Sequence, residues 1–492
     1  MAALSNQSPS GGPDAAGSSR KKIAVVGAGV GGLTCALRLR QANHEVVVFE
    51  RQARVGGLIT TSNVDGYVRE HAASSFLGGP ADGALALCHE LGVAVEKASA
   101  RAKRRWIFID GKLQALPRNP LELARSSLLT TRGKYELLRE SLVPPRDVER
   151  DGDTSVYEFA VRRFGPEAAR ALIAPFVTGV YAADARDVSL QAGFKKFAEF
   201  DKAGGVLRGV LTGAAGSALQ RVGHLLGVIG DDAIGAGLHP SARAGVATAG
   251  GVWAPIGGLG ALVDGLQRAL PGVIRLNTAV RSVRRTDDGS VVTLDDGHIE
   301  TFDAVVLAVA AAEATTLLTD QASDLQSRLQ DFTRTPVALA YLGFPETAVP
   351  SSSRTGFGFL VAMGERLRVL GVVFESVVWD GRAPAGQLLF RCIYGGGRDP
   401  AAFDFDDATL LAQARSDVAA ALAITAVPTH QSVVRWRQGI PRVTMGHADR
   451  AAATLAVARR HRIMLAGADY RGVSVNDLCA DAAVVVKEVT QW

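Results

Sequence analysis

The feature that most constrains the fold of this chain is a glycine-rich loop between two short apolar runs. The first run covers residues 23–26, residues 33–42 after the loop have the apolar spacing of a helix, and a second run covers residues 46–49. Three glycines give the loop its G-x-G-x-x-G pattern: Gly27, Gly29 and Gly32. The order of strand, loop, helix and strand predicts a βαβ unit of about 30 residues.

Each glycine of this pattern has its own physical reason. Gly27 permits a tight turn, Gly29 lets the backbone approach a pyrophosphate, and Gly32 allows the helix to pack closely on the strand. The free N–H groups at the start of the helix would face the phosphates. Glu50 stands 18 residues after Gly32, where its carboxylate can accept a hydrogen bond from a ribose hydroxyl. The sequence therefore predicts a bound dinucleotide.

The residues after Glu50 favour a flavin dinucleotide over a nicotinamide one. They read R-x-x-R-x-G-G, with Arg51 and Arg54 followed by Gly56 and Gly57. Two adjacent glycines let the chain pass close to a long, extended cofactor, and Arg54 can meet a phosphate. This extension resembles the flavin amine oxidase superfamily more than the nicotinamide dehydrogenases.

A glycine turn near the other end of the chain supports the same cofactor. Gly467 follows an apolar run, and Asn476-Asp477 stands at the start of a predicted helix as an N-cap pair. In the superfamily that the chain resembles, this turn closes over the ribityl chain and the helix start points toward the flavin ring. The resemblance implies that Gly467, Val475 and Asn476 contact FAD, and a helix N-terminus would stabilise the negative charge of the reduced ring.

Length and charge limit the other classes of protein. At 492 residues, of which 47% are hydrophobic, the chain is too long for one simple domain. Its net charge of +5, with 21% charged residues, excludes a globally disordered chain, and the scattered basic residues do not predict a nucleic-acid partner. Four widely separated cysteines form no C-x-x-C pair, and no apolar run is long enough to span a bilayer. We expect a cytoplasmic protein without a bound metal.

Apolar runs typical of strands recur far along the chain, near residues 291–294, 304–309 and 463–466. We predict that they join the first βαβ unit in a Rossmann-like FAD-binding domain, an α/β fold whose doubly wound sheet is discontinuous in sequence. The intervening segments predict an α+β substrate-binding domain with a mixed sheet and a helical lobe. The predicted division is a disordered tail at 1–20, an FAD-binding domain at 21–85, 253–315 and 445–492, a substrate-binding domain at 86–120 and 316–444, and a helical lobe at 121–252.

Short segments between residues 23 and 492 resemble the oxygen-dependent protoporphyrinogen oxidases of this superfamily, and their order and spacing are specific. They are residues 105–108, 178–182, 188–190, 255–259, 356–361, 439–447 and 467–477. The chain departs from that family where E-x-G-P is expected, because Glu70-His71-Ala72-Ala73 has neither glycine nor proline. It also has Ala310 in place of a proline and Val443 in place of a tyrosine.

The resemblance implies FAD-dependent oxidation of protoporphyrinogen IX to protoporphyrin IX in haem biosynthesis. Six electrons would pass to O2 in three steps, releasing hydrogen peroxide, and because the flavin carries this chemistry we predict no catalytic side chain. The family's apolar and aromatic residues around the macrocycle correspond here to Phe176, Gly179, Phe357, Leu360 and Ile393. Arg105 is the candidate to pair with a propionate.

Several alternatives stay open. A coproporphyrinogen III oxidase would use the same chemistry on a substrate with four propionates, and its pocket should show more cations. A flavin amine oxidase or desaturase, or a non-catalytic escort protein of the same fold, would also fit the cofactor motifs. The region 121–240 matches the family's membrane-surface lobe, with apolar clusters near Arg208 and Arg221 that suit peripheral contact with the inner face of a membrane. Handover of product to a ferrochelatase and a homodimer also stay open.

Overall fold

The computed structural model describes residues 20–79, 82–205, 250–287 and 289–492. The strands, in chain order, are β1 Lys22–Val26, β2 Glu45–Phe49, β3 Thr61–Val64, β4 Tyr67–Glu70, β5 Phe76–Leu77, β6 Val95–Lys97, β7 Arg105–Ile109, β8 Lys112–Ala115, β9 Val252–Pro255, β10 Ile274–Arg275, β11 Val280–Thr286, β12 Gly289–Leu294, β13 Ile299–Phe302, β14 Ala304–Leu307, β15 Arg334–Pro345, β16 Gly358–Val361, β17 Gly371–Val373, β18 Gln387–Gly395, β19 His430–Pro441 and β20 Ile463–Leu465.

The helices complete the element order. They are α1 Val30–Gln41, α2 Ala84–Glu90, α3 Pro120–Arg125, α4 Thr131–Leu138, α5 Val148–Asp151, α6 Val156–Phe164, α7 Pro166–Ala168, α8 Ala174–Tyr181, α9 Leu190–Gly193, α10 Lys195–Lys202, α11 Gly260–Arg268, α12 Ala311–Leu317, α13 Ser323–Leu329, α14 Glu375–Val378, α15 Asp407–Leu422, α16 His447–Arg460 and α17 Val475–Thr490. The tail predicted before residue 20 and the clusters predicted near Arg208 and Arg221 lie outside the described residues.

A parallel sheet joins the two ends and the middle of the chain, in the order β10-β2-β1-β14-β20. Its central strands are apolar from Ile23 to Val26 and from Ala304 to Leu307 because helices cover both faces. Ile23 and Val25 of β1 pack with α1 and α17, whereas Ala24 and Val26 pack with α12, α13 and α16. The predicted doubly wound sheet is therefore confirmed. The strand order reverses at β1, and the turn after β1 opens at the carboxyl edge where such sheets bind ligands.

A mixed seven-stranded sheet forms a second layer, in the order β19-β15-β18-β17-β16-β7-β8. Neighbouring strands are antiparallel except for the parallel pair β7 and β16. Alternate residues such as Phe359, Val372 and Phe390 point to one face, which α15 covers with Leu410 and Val418. The other face is therefore left to residues such as Leu360 and Ile393.

Helices α3 to α10 form a third layer over residues 120–202. Their apolar side chains, including Phe159, Phe164 and Val177, pack on Ile107 and Ile109 of β7. Packing on β7 places the C-terminal end of α8 beside the second sheet. No helix among the described residues is long and apolar enough to cross a membrane.

Candidate active site

The glycines of the turn after β1 have two different roles. Two of them are required by the protein's own packing, and one faces open space. Gly27 has φ of +101°, and its N–H donates to the carbonyl of Phe49 at 2.8 Å, which joins the ends of β1 and β2. A Cβ on Gly32 would lie only 2.1 Å from the carbonyl oxygen of Gly27. A Cβ on Gly29 would meet no atom of the described residues within 4 Å. The space at Gly29 is therefore open to a ligand, as the pyrophosphate prediction requires.

The start of α1 adds an anion-binding end to this turn. Gly29 is the N-cap, no side chain caps the helix, and its first turn carries no acidic residue. The first N–H groups of a helix have no intrahelical partner and carry its positive dipole end. The residues present therefore fit a phosphate group beside Gly29.

Glu50 also has a structural part in this turn. It is buried at the end of β2, where Oε2 accepts the N–H of Ala28 and Oε1 accepts the N–H of Gln52, each at 2.9 Å. Ala28 in turn accepts the N–H of Gly56 at 2.8 Å. Each carboxylate oxygen keeps a second lone pair, so the predicted contact with a ribose hydroxyl stays available.

The two glycines after Glu50 pass directly beside Gly29. Gly56 and Gly57 both have positive φ, and a Cβ on Gly57 would lie 3.3 Å from the Cα of Gly29. The guanidinium of Arg54 donates to the carbonyls of Val55 at 3.2 Å and Gly57 at 3.1 Å. Arg54 therefore lies at the rim of this turn.

The Arg51 side chain has a different partner from that of Arg54. Its exposed guanidinium pairs with Glu313 of α12. The structure thus brings the predicted glycines, Glu50 and Arg54 together, and it places Arg51 at the outer edge.

Gly467 closes the same cleft from the C-terminal side. It has φ of +122°, and a Cβ there would meet no described atom within 4 Å. Its N–H donates to the buried carboxylate of Asp481 at 3.0 Å, and Asp481 pairs with Arg471 at 2.7 Å. Burial raises the pKa of Asp481, and the Arg471 charge opposes that shift. An ion pair that sequence reasoning missed therefore fixes the Gly467 turn.

The start of α17 corrects the prediction for its cap. Ser474 is the N-cap and Asp477 completes a capping box with it, so the prediction of Asn476-Asp477 as the cap was wrong by two positions. The Asn476 amide instead accepts the N–H of Ala84 and donates to the carbonyl of Leu77, each at 2.9 Å. The N–H groups of the first helical residues, Val475 and Asn476, remain without intrahelical partners. We call the space bounded by the 27–32 turn, Gly57, Gly467 and the start of α17 the glycine cleft.

Residues 70–77, the 70–77 segment, run along one side of the glycine cleft. The N–H of His71 donates to Thr60 at 2.8 Å, near Gly57, and Leu77 accepts from Asn476 at the start of α17. Glu70 is buried and accepts from Arg382 at 2.9 Å. Burial raises the pKa of Glu70, and the Arg382 charge works against that shift. The segment therefore lies between the two ends of the cleft.

One face of the second sheet carries half-buried apolar residues on the side of the glycine cleft. Leu360 of β16 pairs across Gly371 of β17 with Ile393 of β18, so the three share one face, which we call the Leu360 face. Leu360 and Ile393 are half-buried, although the residues beside them on their strands are buried. A half-buried apolar residue within a buried strand keeps surface for a ligand.

Two further predicted residues stand on this face or at its end. Arg105 of β7 pairs with Gly358, and that row continues through Val373 to Arg391. The Arg105 guanidinium lies 4.9 Å from the centroid of the Phe357 ring, a cation–π distance. Arg105 and Phe357 are both half-buried. The structure therefore brings four predicted substrate residues onto one surface.

Helix α8 brings Gly179 onto the same surface. A Cβ on Gly179 would lie 2.8 Å from Leu360 Cδ2, and a Cβ on Gly371 would lie equally close. Leu360 thus lies between two glycines, of which only Gly179 was predicted. Phe176, one helical turn earlier, packs on Phe194 with ring centroids 5.7 Å apart. A π-helix at Ala169–Ile173 precedes α8, and Pro175, which has no N–H to donate, stands in the first turn of α8.

Among the described residues, no group of three or more metal-ligating side chains comes together.

The comparison with protein families agrees with a flavin site in the glycine cleft. Residues 30–477 match the model of the flavin containing amine oxidoreductase family. The chain belongs to this family and is a flavin-dependent oxidoreductase.

Relatives and a solved structure show which members of this family the chain is similar to. The chain is 30% identical to a coproporphyrinogen III oxidase of Mycobacterium leprae (strain TN) over 476 residues, which cover 94% of this chain and 96% of that protein. It is 29% identical to human protoporphyrinogen oxidase over 482 residues, which cover 93% and 96%. A solved structure from Exiguobacterium sp. 255-15, provisionally described as a protoporphyrinogen oxidase, matches with a TM-score of 0.76 at 22% identity, over 96% of this chain and all of that one. The predicted fold class is confirmed.

Proposed function

We propose that the chain oxidises protoporphyrinogen IX to protoporphyrin IX with FAD and O2. Six hydrogens leave the macrocycle in three two-electron steps, and three O2 become three hydrogen peroxide molecules. The observation that carries this proposal is the half-buried Leu360 face, with Arg105 beside it, across from the 70–77 segment. The porphyrinogen oxidases among the relatives support it.

The glycine cleft fits FAD because its glycines leave room for the backbone to approach a ligand. The proposed cofactor site has eleven residues: Gly27, Gly29, Gly32, Glu50, Arg51, Arg54, Gly56, Gly57, Gly467, Val475 and Asn476. Of these, Gly27 and Gly32 would act by shaping the turn, and Arg51 lies at its outer edge. The supporting observations are the empty space beside Gly29 and Gly467 and the uncapped start of α1. When bound, the flavin supplies hydride acceptance and electron transfer to O2.

The side chains of the Leu360 face would bind and orient the macrocycle. Leu360, Ile393 and Phe357 offer apolar surface to a flat ring, and Gly179 leaves space beside it. Phe176 would contribute from the helix turn before Gly179. Because these groups are apolar, they would exclude water from the bridging carbon that loses hydride.

Charge on this face favours two propionates over four. The row of paired residues that crosses the face carries Arg105 and Arg391. Glu375 already balances Arg391, with Nε and Oε1 2.9 Å apart. Four substrate carboxylates would need more cations than this row offers among the described residues, so we favour protoporphyrinogen, with coproporphyrinogen as the alternative that the fluorescence test decides.

Porphyrin fluorescence in air tests the proposal. Purified yellow protein is given protoporphyrinogen IX and, separately, coproporphyrinogen III, against an autoxidation blank. We expect faster growth with protoporphyrinogen. A preference for coproporphyrinogen would move the reaction to the four-propionate substrate, and no growth with either would overturn the porphyrinogen proposal.

Arg105→Lys tests the propionate contact. Lysine keeps the charge but loses the forked geometry that grips a carboxylate. A hydrogen bond to a charged group contributes about 1.5–3 kcal/mol, so we expect KM to rise by roughly 10- to 100-fold with kcat little changed. An unchanged KM would remove Arg105 from the substrate site.

Peripheral contact with the inner face of the membrane is a further proposal, supported by exposed apolar side chains beside basic ones. Tyr135, Leu138 and Leu142 follow at spacings of three and four residues and are 60%, 73% and 75% exposed. Arg139 lies between Leu138 and Leu142 and over the Tyr135 ring, and a cation in this place suits anionic lipid. Flotation with anionic vesicles should carry the protein upward, and Leu138→Glu/Leu142→Glu should abolish flotation. Product handover to a ferrochelatase and a homodimer stay predictions.

A further inference from the structure

Three successive carbonyls of the 70–77 segment accept hydrogen bonds from side chains of the second sheet. Tyr341 donates its hydroxyl to Glu70, Trp436 Nε1 donates to His71 at 2.6 Å, and Arg391 Nη1 donates to Ala72 at 2.8 Å. Residues 71–75 form neither helix nor strand, so their backbone groups need partners from elsewhere. The conformation of this segment therefore depends on the second sheet.

Arg391 is the donor that reaches both regions of the site. It stands on β18 two residues before Ile393, and both side chains point to the Leu360 face. Its second terminal nitrogen, Nη2, donates to Ser74 Oγ at 2.9 Å. One rigid guanidinium thus ties the strand that presents Ile393 to residues 72 and 74 of the segment along the glycine cleft.

The position of the Arg391 guanidinium is set by its hydrogen bonds to the 70–77 segment more than by Glu375, its counter-charge. Glu375 lies 2.9 Å from Nε, but the two atoms are not aligned for a hydrogen bond, and both Glu375 oxygens are buried without an aligned partner among the described residues. The bonds to Ala72 and Ser74, in contrast, have hydrogen-bond geometry. Glu375 neutralises the charge, whereas Ala72 and Ser74 set where the guanidinium lies.

We propose that Arg391 is a positioning residue that fixes the 70–77 segment, and with it the flavin ring, relative to the Leu360 face. The inference rests on the proposed function, because that function places the flavin in the glycine cleft and the substrate on the Leu360 face. Arg391 acts through the backbone of residues 72–74. Its effect should appear in the properties of the flavin before any substrate is added.

Arg391→Lys is the first test, because lysine keeps the charge beside Glu375 but cannot hold two acceptors in one plane. We expect bound FAD with a shifted visible spectrum and a shifted midpoint potential. A misplacement of about 1 Å can cost about 100-fold in rate, so kcat should fall by roughly 10- to 100-fold with a smaller change in KM. Ser74→Ala removes one acceptor and should change the same readouts in the same direction by less.

A double variant separates positioning from charge balance. Arg391→Met with Glu375→Met replaces a buried ion pair by apolar side chains, a change that is often neutral for stability. We expect a thermal unfolding midpoint near that of the wild type, but a flavin spectrum and kcat like those of Arg391→Lys. Recovery of the wild-type spectrum and kcat would show that Arg391 only balances Glu375, and would overturn the proposal.

Arg163→Lys is the matched control. Arg163 is equally buried, in a pair with Asp201 in the helical lobe. It should lower the unfolding midpoint and leave the flavin spectrum unchanged. An equal spectral shift in this control would also contradict the positioning role. Because the spectrum and potential need no substrate, they test Arg391 even if neither porphyrinogen is oxidised.

Discussion

The glycine cleft is formed by backbone, whereas the Leu360 face is formed by side chains. In the cleft, a Cβ at Gly32 would overlap the Gly27 carbonyl, and Gly29 faces open space. On the Leu360 face, strands far apart in the chain each contribute a side chain to one surface. Backbone sites fail abruptly when a single carbon is added, but side-chain sites lose function by degrees. We therefore expect larger effects from substitutions in the glycine cleft than from substitutions on the Leu360 face.

The largest effect should come from Gly32→Ala, because its Cβ would lie 2.1 Å from a backbone oxygen that cannot move aside. We expect insoluble or colourless protein. Gly29→Ala should fold, because its φ of −69° suits alanine and its Cβ meets no described atom, but that Cβ enters the space proposed for the pyrophosphate. The ratio of flavin to protein absorbance and the thermal unfolding midpoint distinguish the two outcomes.

Gly31→Ala is the control for this pair. A Cβ there would lie 3.6 Å from Leu478, an ordinary contact, so flavin content should stay normal. If Gly29→Ala bound FAD as tightly as the wild type, the assignment of the open space to the pyrophosphate would be wrong.

A smaller but still large effect should follow Asp481→Asn, which tests whether the cleft also depends on side chains. Breaking a buried ion pair by removing one partner costs about 3–5 kcal/mol, and Arg471 is left without its counter-charge. We expect a lower unfolding midpoint that added FAD partly restores. Asp324→Asn, in an exposed cluster with Arg460 and His461, should change little. Weak FAD binding with unchanged stability would instead indicate that Asp481 acts only through the Gly467 N–H.

Gly179→Ala should have a moderate effect confined to the substrate. Its Cβ would press on Leu360, so we expect kcat/KM for protoporphyrinogen to fall about tenfold, a change of about 1.4 kcal/mol, with normal FAD content. Leu360→Ala in the same chain frees that space and should recover part of the loss. Loss of flavin in Gly179→Ala would show that the Leu360 face also contributes to flavin binding, contrary to this prediction.

The smallest effect concerns pH. Burial lowers the pKa of His447, helped by the charges of Arg450 and Lys195, so the folded protein keeps this ring neutral. Below about pH 6.5 the unfolded chain takes up a proton that the folded chain resists, so stability falls as pH drops. His447→Gln should reduce the fall in unfolding midpoint between pH 7.5 and 5.5 by less than about 4 °C. An unchanged slope would mean that other groups cause it.

The difference between the regions also decides what the sequence could predict. The cleft depends on local patterns, so the first strand, the glycine turn and α1 were predicted to within three residues. The predicted cap of α17 was wrong because Ser474, two residues earlier, can form the same hydrogen bond. Gly371 was missed, although a glycine inside a strand signals close approach of a neighbour.

The hydrogen bonds to the 70–77 segment could not be predicted, because their donors lie 271 to 365 residues further along the chain. No local period or motif relates Tyr341 or Trp436 to Glu70 and His71. Only the register of β15, β18 and β19 brings these groups together.

The sheet order has a consequence for how the protein is made. β1 begins the parallel sheet, but β20 and α17 complete both the sheet and the glycine cleft. A ribosome-bound chain that has not yet released residues 463–490 has the 27–32 turn but lacks the opposite wall of the glycine cleft. Long-range closure of this kind is slow compared with local helix formation. The proposed flavin site would therefore be complete only after β20 and α17 have joined the rest of the chain.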